Sequence, residues 1–339
     1  MKYQGLYSIG TSNARKTSPQ TILGGREITI DLKSQIGLII TLAVVGIVFS
    51  FLSPYFMTAE NFQIITRQTA MFVVLGCGIT MVLICGGVDL SIGPASVICS
   101  IVAVTTLRAW GQVGIPFAIL VSLFCGIVLG AFNGIIISRL GINPWLTTLA
   151  TNMLYRGIAL VIASGHTIQA ASFGLSDFIS ANLMGIPVLG LIAIVVCIVC
   201  HIILTQTAYG RSIKGIGSNA EAAKYCGIPI SRNVFLVYVI AGLLAAIMGI
   251  MEVGRSGSAS PVMNEGIELY VMAAVVIGGT RLEGGKGSIL STILGVLFIQ
   301  CVLDGLVLIH LSNSFLKLAN GILIIFAVVL DGIRRNISR

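Results

Sequence analysis

The residues best suited to chemistry in this chain lie in the segment GGVDLSIG at positions 86–93. It places the carboxylate of Asp89 between two apolar runs, with the hydroxyl of Ser91 two residues later. An ionised side chain at membrane depth is costly and usually faces a cavity or a partner. The segment therefore predicts a translocation pathway or a gate, unless Asp89 and Ser91 only cap the helix that begins near Ile92. The candidate pathway or gate residues here are Gly86, Gly87, Asp89, Ser91 and Gly93.

Further charged side chains lie within or beside apolar runs. Glu268 opens a short run, where a carboxylate either favours the helix start or joins the pathway, and we count it among the pathway candidates. Asp304 lies within a long run and either marks a break or pairs with Arg156. These side chains keep a second function open, an ion-coupled secondary transporter that uses Asp89, Asp304 or Glu268. An intramembrane enzyme is disfavoured, because the runs contain no paired Asp, His-rich or Ser-His arrangement.

The segment GIGSNAEAAKYCGIP predicts a short helix over residues 219–226. Asn219 or Ser218 caps its start, and Glu221 favours the positive end of the helix. Alanines fill the body, Gly227 suits the position after the last turn, and the following proline prevents continuation. So short a helix is marginal in water and needs support from its own loop or from a docked partner. Its exposed alanines would offer such a partner a smooth surface.

The composition excludes an ordinary soluble protein. Hydrophobic residues make up 56% of the 339 positions and charged residues 9%, whereas a soluble protein has about 25% charged residues. A soluble globule of this size has no means of hiding so much apolar surface. The net charge of +8 does not indicate nucleic acid, because the basic residues are scattered between long apolar runs. We therefore predict a protein of the lipid bilayer that binds no nucleic acid.

Ten apolar runs predict an all-α fold, a polytopic transmembrane helical bundle of about ten spans, some of them short or broken by glycines. The runs cover residues 36–52, 71–86, 92–107, 115–138, 145–163, 187–204, 233–251, 268–280, 288–311 and 315–331. Runs 71–86, 92–107 and 268–280 are shorter than the ~20 residues of a perpendicular span. Residues 84–98 and 276–290 share a pattern of apolar helix, Gly-Gly, polar turn and apolar helix. Paired glycine-broken segments are typical of transport sites, although two such hairpins also arise by chance.

Basic residues in the connecting segments predict the orientation. Loop 205–232 contains four lysines and arginines and loop 164–186 contains none, and such residues favour the cytoplasmic side. We therefore expect loop 205–232 in the cytoplasm, loop 164–186 in the periplasm and both termini in the cytoplasm. The predicted organisation is a tail at 1–35, a transmembrane domain at 36–331 and a tail at 332–339.

The sequence predicts no cofactor and no metal site. Seven of the eight cysteines lie inside apolar runs, where cysteine behaves as a small hydrophobe. Cys197 and Cys200 have the spacing of a redox or metal pair, but no second pair accompanies them, so we expect a packing role. The stretch closest to a Walker A loop, residues 280–287, lacks its first Gly and its final Ser or Thr. The chain should therefore take its energy from a partner or from an ion gradient.

Together the motifs resemble the membrane permeases of bacterial ABC importers for monosaccharides, the ribose, galactose and xylose type that includes autoinducer-2 permeases. The resemblance is carried by GGVDLSIG at 86–93, GIGSNAEAAKYCGI at 215–228, IELYVMAAVVIGGTRLEGGKGS at 267–288 and IIFAVVLD at 324–331. It extends over residues 36–335. One departure is Tyr270, which stands where the family usually has an aspartate.

The resemblance implies a multi-pass subunit of the bacterial inner membrane that forms the path for a monosaccharide or a similar small polyol. The implied partners are a second permease chain, identical or paralogous, two cytosolic ATP-binding chains or one fused ATPase that dimerises, and a periplasmic sugar-binding protein. The permease itself would not be an enzyme, because a partner hydrolyses the ATP. The family's ATPase-coupling loop falls on Gly217, Asn219, Glu221, Ala222, Ala223, Gly227 and Ile228.

Overall fold

The computed structural model describes residues 32–170, 174–183 and 185–337, and most of them form helices. The helices are α1 (Leu32–Leu52), α2 (Ala59–Ile84), α3 (Ile92–Trp110), α4 (Ile115–Ser138), α5 (Pro144–Ile162), α6 (Leu175–Ser180), α7 (Val188–Gln206), α8 (Ala208–Ser218), α9 (Ala220–Tyr225), α10 (Ile230–Ser256), α11 (Ile267–Gly278), α12 (Ile289–Leu308) and α13 (Asn313–Ile337). Four short strands form two antiparallel pairs, β1 (Ile168–Gln169) with β4 (Ser258–Ala259) and β2 (Asn182–Leu183) with β3 (Ile186–Pro187). The predicted all-α class is confirmed.

Each of the ten apolar runs lies in a separate helix of the bundle. Within the described ranges, seven helices are long and apolar enough to cross a membrane, namely α1, α2, α3, α4, α7, α10 and α12. The polar residues that precede run 71–86 extend α2 back to Ala59, and α3 continues past run 92–107 to Trp110. The expectation of short elements at these two runs was wrong. By contrast α11 has only 12 residues, as run 268–280 predicted. The protein is therefore a polytopic membrane protein of the all-α class.

Helix α10 forms the centre of the bundle and packs against α2, α3 and α4. Its closest neighbour is α4, and glycines on both helices make that approach possible. A Cβ added to Gly242 of α10 would overlap the carbonyl oxygen of Gly126, and one added to Gly126 would overlap the carbonyl oxygen of Gly242. Small residues allow such backbone contact between membrane helices, where dispersion replaces the hydrophobic effect as the driving force.

Helix α7 separates two groups of short elements. The segment with α6, β2 and β3 precedes α7, and helices α8 and α9 follow it, so the two groups lie at opposite ends of the bundle. We call these the α6 end and the α9 end. The amide of Gln35 in α1 donates to the hydroxyl of Ser291 in α12 at 3.0 Å, which fixes the start of α1 beside the start of α12.

Helices continue into the predicted tails and the predicted loop in three places. Helix α1 already begins at Leu32, inside the predicted tail 1–35, and residues 1–31 lie outside the described part of the chain. Helix α13 continues to Ile337, into the predicted tail 332–339. Segment 205–232 is mostly helical, because α8 precedes the predicted short helix.

Candidate functional site

Two helices begin next to each other inside the bundle. Gly93 lies in the first turn of α3 and Glu268 in the first turn of α11, and a Cβ on Gly93 would overlap the Oε2 atom of Glu268. A helix of 12 residues is about 18 Å long, well short of the ~30 Å hydrocarbon core, so one end of α11 lies within the bundle. The positive ends of both helices favour the carboxylate between them.

Glu268 is held by side chains of α5. The amide of Asn152 donates to Oε1 of Glu268 at 3.0 Å and also to the carbonyl oxygen of Leu90. Nη2 of Arg156 lies 3.8 Å from Oε2 of Glu268. Apart from this ion pair, Oε2 is buried and accepts no hydrogen bond. Helix α5 thus contacts both the segment before α3 and the start of α11.

Asp89 organises the turn that leads into α3. Its Oδ1 accepts hydrogen bonds from the backbone N–H of Ser91 at 2.9 Å and from the hydroxyl of Ser91 at 2.7 Å. The amide of Asn133 in α4 donates to the same hydroxyl at 2.7 Å. All three side chains are buried. Asp89 therefore supports the helix start, as the capping alternative expected, while Ser91 makes no capping bond of its own.

We call this connected group the broken-helix centre. Its members are Asp89, Ser91, Gly93, Asn133, Asn152, Arg156 and Glu268. Four of the predicted pathway residues thus come together. Sequence analysis did not select the other three, Asn133 on α4 and Asn152 and Arg156 on α5, because they belong to none of the motifs.

The other two predicted pathway residues, Gly86 and Gly87, lie elsewhere. Gly86 has a positive φ of 82° and faces Gly217 of α8 and the loop between α11 and α12. A Cβ on Gly284 would lie 3.0 Å from Cα of both Gly86 and Gly217. At Gly87, a Cβ would lie 2.6 Å from the hydroxyl of Tyr238, which donates to the carbonyl of Val88.

A hydrogen bond completes this second group. The N–H of Gly285 donates to the carbonyl oxygen of Ile84 at 2.9 Å, and a Cβ on Gly217 would overlap that oxygen. We call Ile84, Gly86, Gly217, Gly284 and Gly285 the glycine junction. It joins the end of α2, the end of α8 and the α11–α12 loop, and it therefore brings all three principal sequence motifs into contact.

Helix α9 begins and ends where the sequence signals predict. The side chain of Asn219 accepts from the backbone N–H of Ala222 at 2.9 Å, so Asn219 rather than Ser218 is the cap. Gly227 has a φ of 76°, and the N–H of Ile228 donates to the carbonyl of Ala223 at 3.1 Å, which is the Schellman pattern.

The surface of α9 differs from the prediction. Ala223 is buried in the core of this chain and supports the helix from within, so the expectation of uniformly exposed alanines was wrong. The exposed side chains are those of Glu221, Ala222, Lys224 and Tyr225. Tyr225 is 92% exposed, and sequence analysis missed it because nothing in the pattern tells an outward aromatic from an inward one.

Helix α8 supports α9 from the bundle side. It packs through Ile213 and Ile216, and Thr207 caps its start by accepting from the N–H of Gly210 at 3.1 Å. Lys214 on this helix is partly buried, and burial lowers the pKa of its ammonium group because the charged form loses water.

Two further charged groups have partners outside the broken-helix centre. Arg255 lies 2.7 Å from Glu252, which is one helical turn earlier. Asp304 accepts from the amide of Asn61 at 2.8 Å, so the suggested pairing of Asp304 with Arg156 was wrong. That arginine is engaged at the broken-helix centre.

The buried cysteines serve packing contacts. Sγ of Cys77 lies 3.8 Å from Sγ of Cys197, between α2 and α7. Among the described residues, no group of three His, Cys, Asp or Glu side chains is placed to hold a metal ion.

Comparison with known proteins identifies the family. The family model described as the permease component of the branched-chain amino acid transport system matches residues 61–328. The chain belongs to this family. The permease is 33% identical to the D-allose transport system permease protein of Escherichia coli K12 over 298 residues, 87% of this chain and 90% of that protein. It is also 34% identical to the ribose import permease protein of Bacillus subtilis 168 over 303 residues, 88% of this chain and 92% of the relative.

A third relative extends the pattern to another sugar. The L-arabinose transport system permease protein of Escherichia coli K12 is 30% identical over 313 residues, which cover 90% of the permease and 92% of the relative. No solved structure matches the chain. The resemblance to permeases of monosaccharide ABC importers is confirmed, and the ion-coupled alternative is not supported by these relatives.

Proposed function

We propose that this chain forms the translocation path of an ATP-driven importer for a monosaccharide or a similar small polyol. The observation that carries the proposal is the similarity, over 87–90% of the chain, to permeases for D-allose, ribose and L-arabinose, which differ in sugar but share the transport role. The proposed partners are a second permease chain, two cytosolic ATP-binding chains or a fused ATPase that dimerises, and a periplasmic sugar-binding protein.

The proposed topology has ten membrane passes and both termini in the cytoplasm. The seven long apolar helices supply seven passes. Helices α5, α11 and α13 supply the other three, and α11 needs the inward-reaching segment before it because it is too short to span alone. The α9 end would then be cytoplasmic, in keeping with the basic residues of segment 205–232.

The broken-helix centre is proposed as the gate of the path. Discontinuous helices whose positive ends meet in mid-membrane recur at transporter sites. Here the starts of α3 and α11 meet at Glu268, and α5 holds both segments by hydrogen bonds. Such bonds join rigid helices at few points, so a shift of α5 relative to α11 would open or close a route between them.

Movement would reach this gate from the ATPase through the glycine junction. Helix α9 presents an exposed face, and α8 connects it to Gly217 without a flexible linker. At Gly217 the backbone of α8 contacts the end of α2 and the α11–α12 loop. Both contacted segments continue, through residues 85–91 and through α11, to the broken-helix centre.

Reconstitution tests the proposal. The permease is placed in liposomes with its ATPase chains and sugar-binding protein, and uptake of D-ribose, D-allose and L-arabinose is measured with and without ATP. We expect uptake of at least one sugar that requires ATP and persists when ionophores collapse ion gradients. Uptake by the permease alone that ionophores abolish would instead establish the ion-coupled transporter.

A further inference from the structure

Arg156 joins α5 to the segment that enters the bundle before α11. Nη1 donates to the carbonyl oxygen of Met263 at 3.0 Å, and Nη2 donates to the carbonyl oxygen of Asn264 at 3.0 Å. The same Nη2 faces the carboxylate of Glu268 at 3.8 Å. A planar guanidinium is suited to several acceptors at once, whereas the ammonium of lysine is a single point charge.

The segment that Arg156 binds is a connection between the α6 end and the broken-helix centre. We call residues 260–266 the entry loop. It follows β4, which pairs with β1 at the α6 end, and it leads directly to Ile267, the first residue of α11. Its course includes two residues with positive φ, Asn264 at 55° and Gly266 at 79°. Turns therefore determine the course of the entry loop, and the hydrogen bonds of Arg156 attach it to α5.

The ion pair at this attachment is largely shielded from water. The side chain of Arg156 is 19% exposed and that of Glu268 is 9% exposed. Removal of one partner of a buried pair leaves the other charge uncompensated. The contact therefore favours the arrangement in which α5, the entry loop and the start of α11 lie together.

We propose that Arg156 is a positioning residue that seals the path by holding the entry loop and Glu268 against α5. The inference rests on the proposed gate at the broken-helix centre and adds the group that keeps it shut. During transport, α5 and α11 separate, and the hydrogen bonds of Arg156 to Met263 and Asn264 break together with its ion pair to Glu268.

A leak assay distinguishes sealing from simple structural support. The full permease–ATPase complex is reconstituted without nucleotide in liposomes loaded with radiolabelled D-ribose. We expect Arg156→Gln to release the sugar about tenfold faster than the wild type, because a rise in the open population raises the leak in proportion. Arg156→Lys retains the charge but not the two carbonyl bonds, so its leak should be intermediate.

The matched control is Arg255→Gln. It breaks the pair with Glu252, whose side chain is 4% exposed, and so also leaves a buried carboxylate unpaired, but away from the broken-helix centre. We expect a similar loss of thermal stability and a wild-type leak rate. A wild-type leak rate in folded Arg156→Gln would overturn the proposal, and so would an equal leak in Arg255→Gln.

The two proposals fail differently. If Arg156→Gln does not purify as a folded complex, the comparison of Arg156→Lys with the wild type decides, and an unchanged leak there counts against sealing. Absence of ATP-driven uptake by the wild-type complex would refute the proposed function instead, whatever the leak rates.

Discussion

Gly217 of α8 lies against the carbonyl oxygen of Ile84 at the end of α2, at a distance that leaves no room for a side chain. The same carbonyl accepts the N–H of Gly285 from the α11–α12 loop. Three chain segments that are far apart in sequence therefore meet backbone to backbone. Contacts of this kind transmit a displacement directly, because no flexible side chain intervenes.

The exposed face of α9 should bind the ATPase. We expect Ala222→Trp and Tyr225→Ala to reduce ATPase retention on the purified permease by about tenfold, since bulky or lost contacts at a fitted surface cost 1–3 kcal/mol or more. Tyr225→Phe keeps the ring and should retain binding. Retention at the wild-type level in both Ala222→Trp and Tyr225→Ala would show that the ATPase docks elsewhere.

Substitution of Ala223 should lower the stability of the permease, whereas substitution of Ala222 should not. Because Ala223 is buried in the chain's own core, Ala223→Glu places an uncompensated charge there and should lower the melting temperature of the isolated permease. Ala222→Trp, on the exposed side, should leave that temperature within a few degrees of the wild type. Equal melting temperatures for the two variants would contradict the burial of Ala223.

Asp89 should matter for its charge as well as for its hydrogen bonds. Asp89→Asn retains an oxygen that accepts from Ser91, so we expect normal insertion and folding. It removes the carboxylate beside the positive start of α3, and we expect ATP-driven uptake to fall about tenfold. Normal uptake by this variant would reduce Asp89 to a helix cap.

Asp304, unlike Asp89, should not be needed for transport. Its carboxylate accepts from Asn61 and lies apart from the broken-helix centre. Asp304→Asn should therefore leave ATP-driven uptake within about twofold of the wild type, with at most a loss of about 1 kcal/mol in stability. Abolished uptake in a folded Asp304→Asn variant would revive an intramembrane carboxylate as an ion carrier.

Cys226 offers a test of orientation. It is the exposed cysteine next to α9, and the other cysteines are buried or partly buried. A membrane-impermeant maleimide should label it in inverted vesicles and not in intact spheroplasts. Asp177→Cys in α6, made on a Cys226→Ser background, should show the reverse. Labelling of both positions from the same side would exclude the proposed topology.

Local signals predicted local structure well. Asn219 and Gly227 occupy the positions at the start and end of α9 that their residue types and spacing predict. These positions could be predicted because the capping hydrogen bonds join residues within about one helical turn. Helix α8 was not predicted, since Gly210, Gly215 and Gly217 weaken its helical pattern. Its packing against the bundle, through Ile213 and Ile216, supplies the stability that the glycines do not.

The long-range contacts could not be predicted from the sequence. Asn152 and Glu268 are 116 positions apart, and no motif connects them. By charge alone, Arg156 could pair with Asp304 as well as with Glu268, yet Asp304 accepts a hydrogen bond from Asn61. Which of several buried charges meet depends on how helices pack, and that is decided by the sum of many small contacts rather than by any one residue.

The ratio of ATP hydrolysed to sugar imported in Gly217→Ala tests most directly whether movement passes through the glycine junction. The control is Gly215→Ala on the same helix, where the added Cβ would lie 3.5 Å from Cδ1 of Ile228, an ordinary van der Waals contact. Gly215→Ala and Gly217→Ala gain the same helix propensity, so only the overlap distinguishes them. We expect Gly215→Ala to keep the wild-type ratio. Gly217→Ala should hydrolyse ATP within about twofold of the wild type while its uptake falls about tenfold, because the overlap shifts α8 away from α2. A wild-type ratio in folded Gly217→Ala would contradict the account.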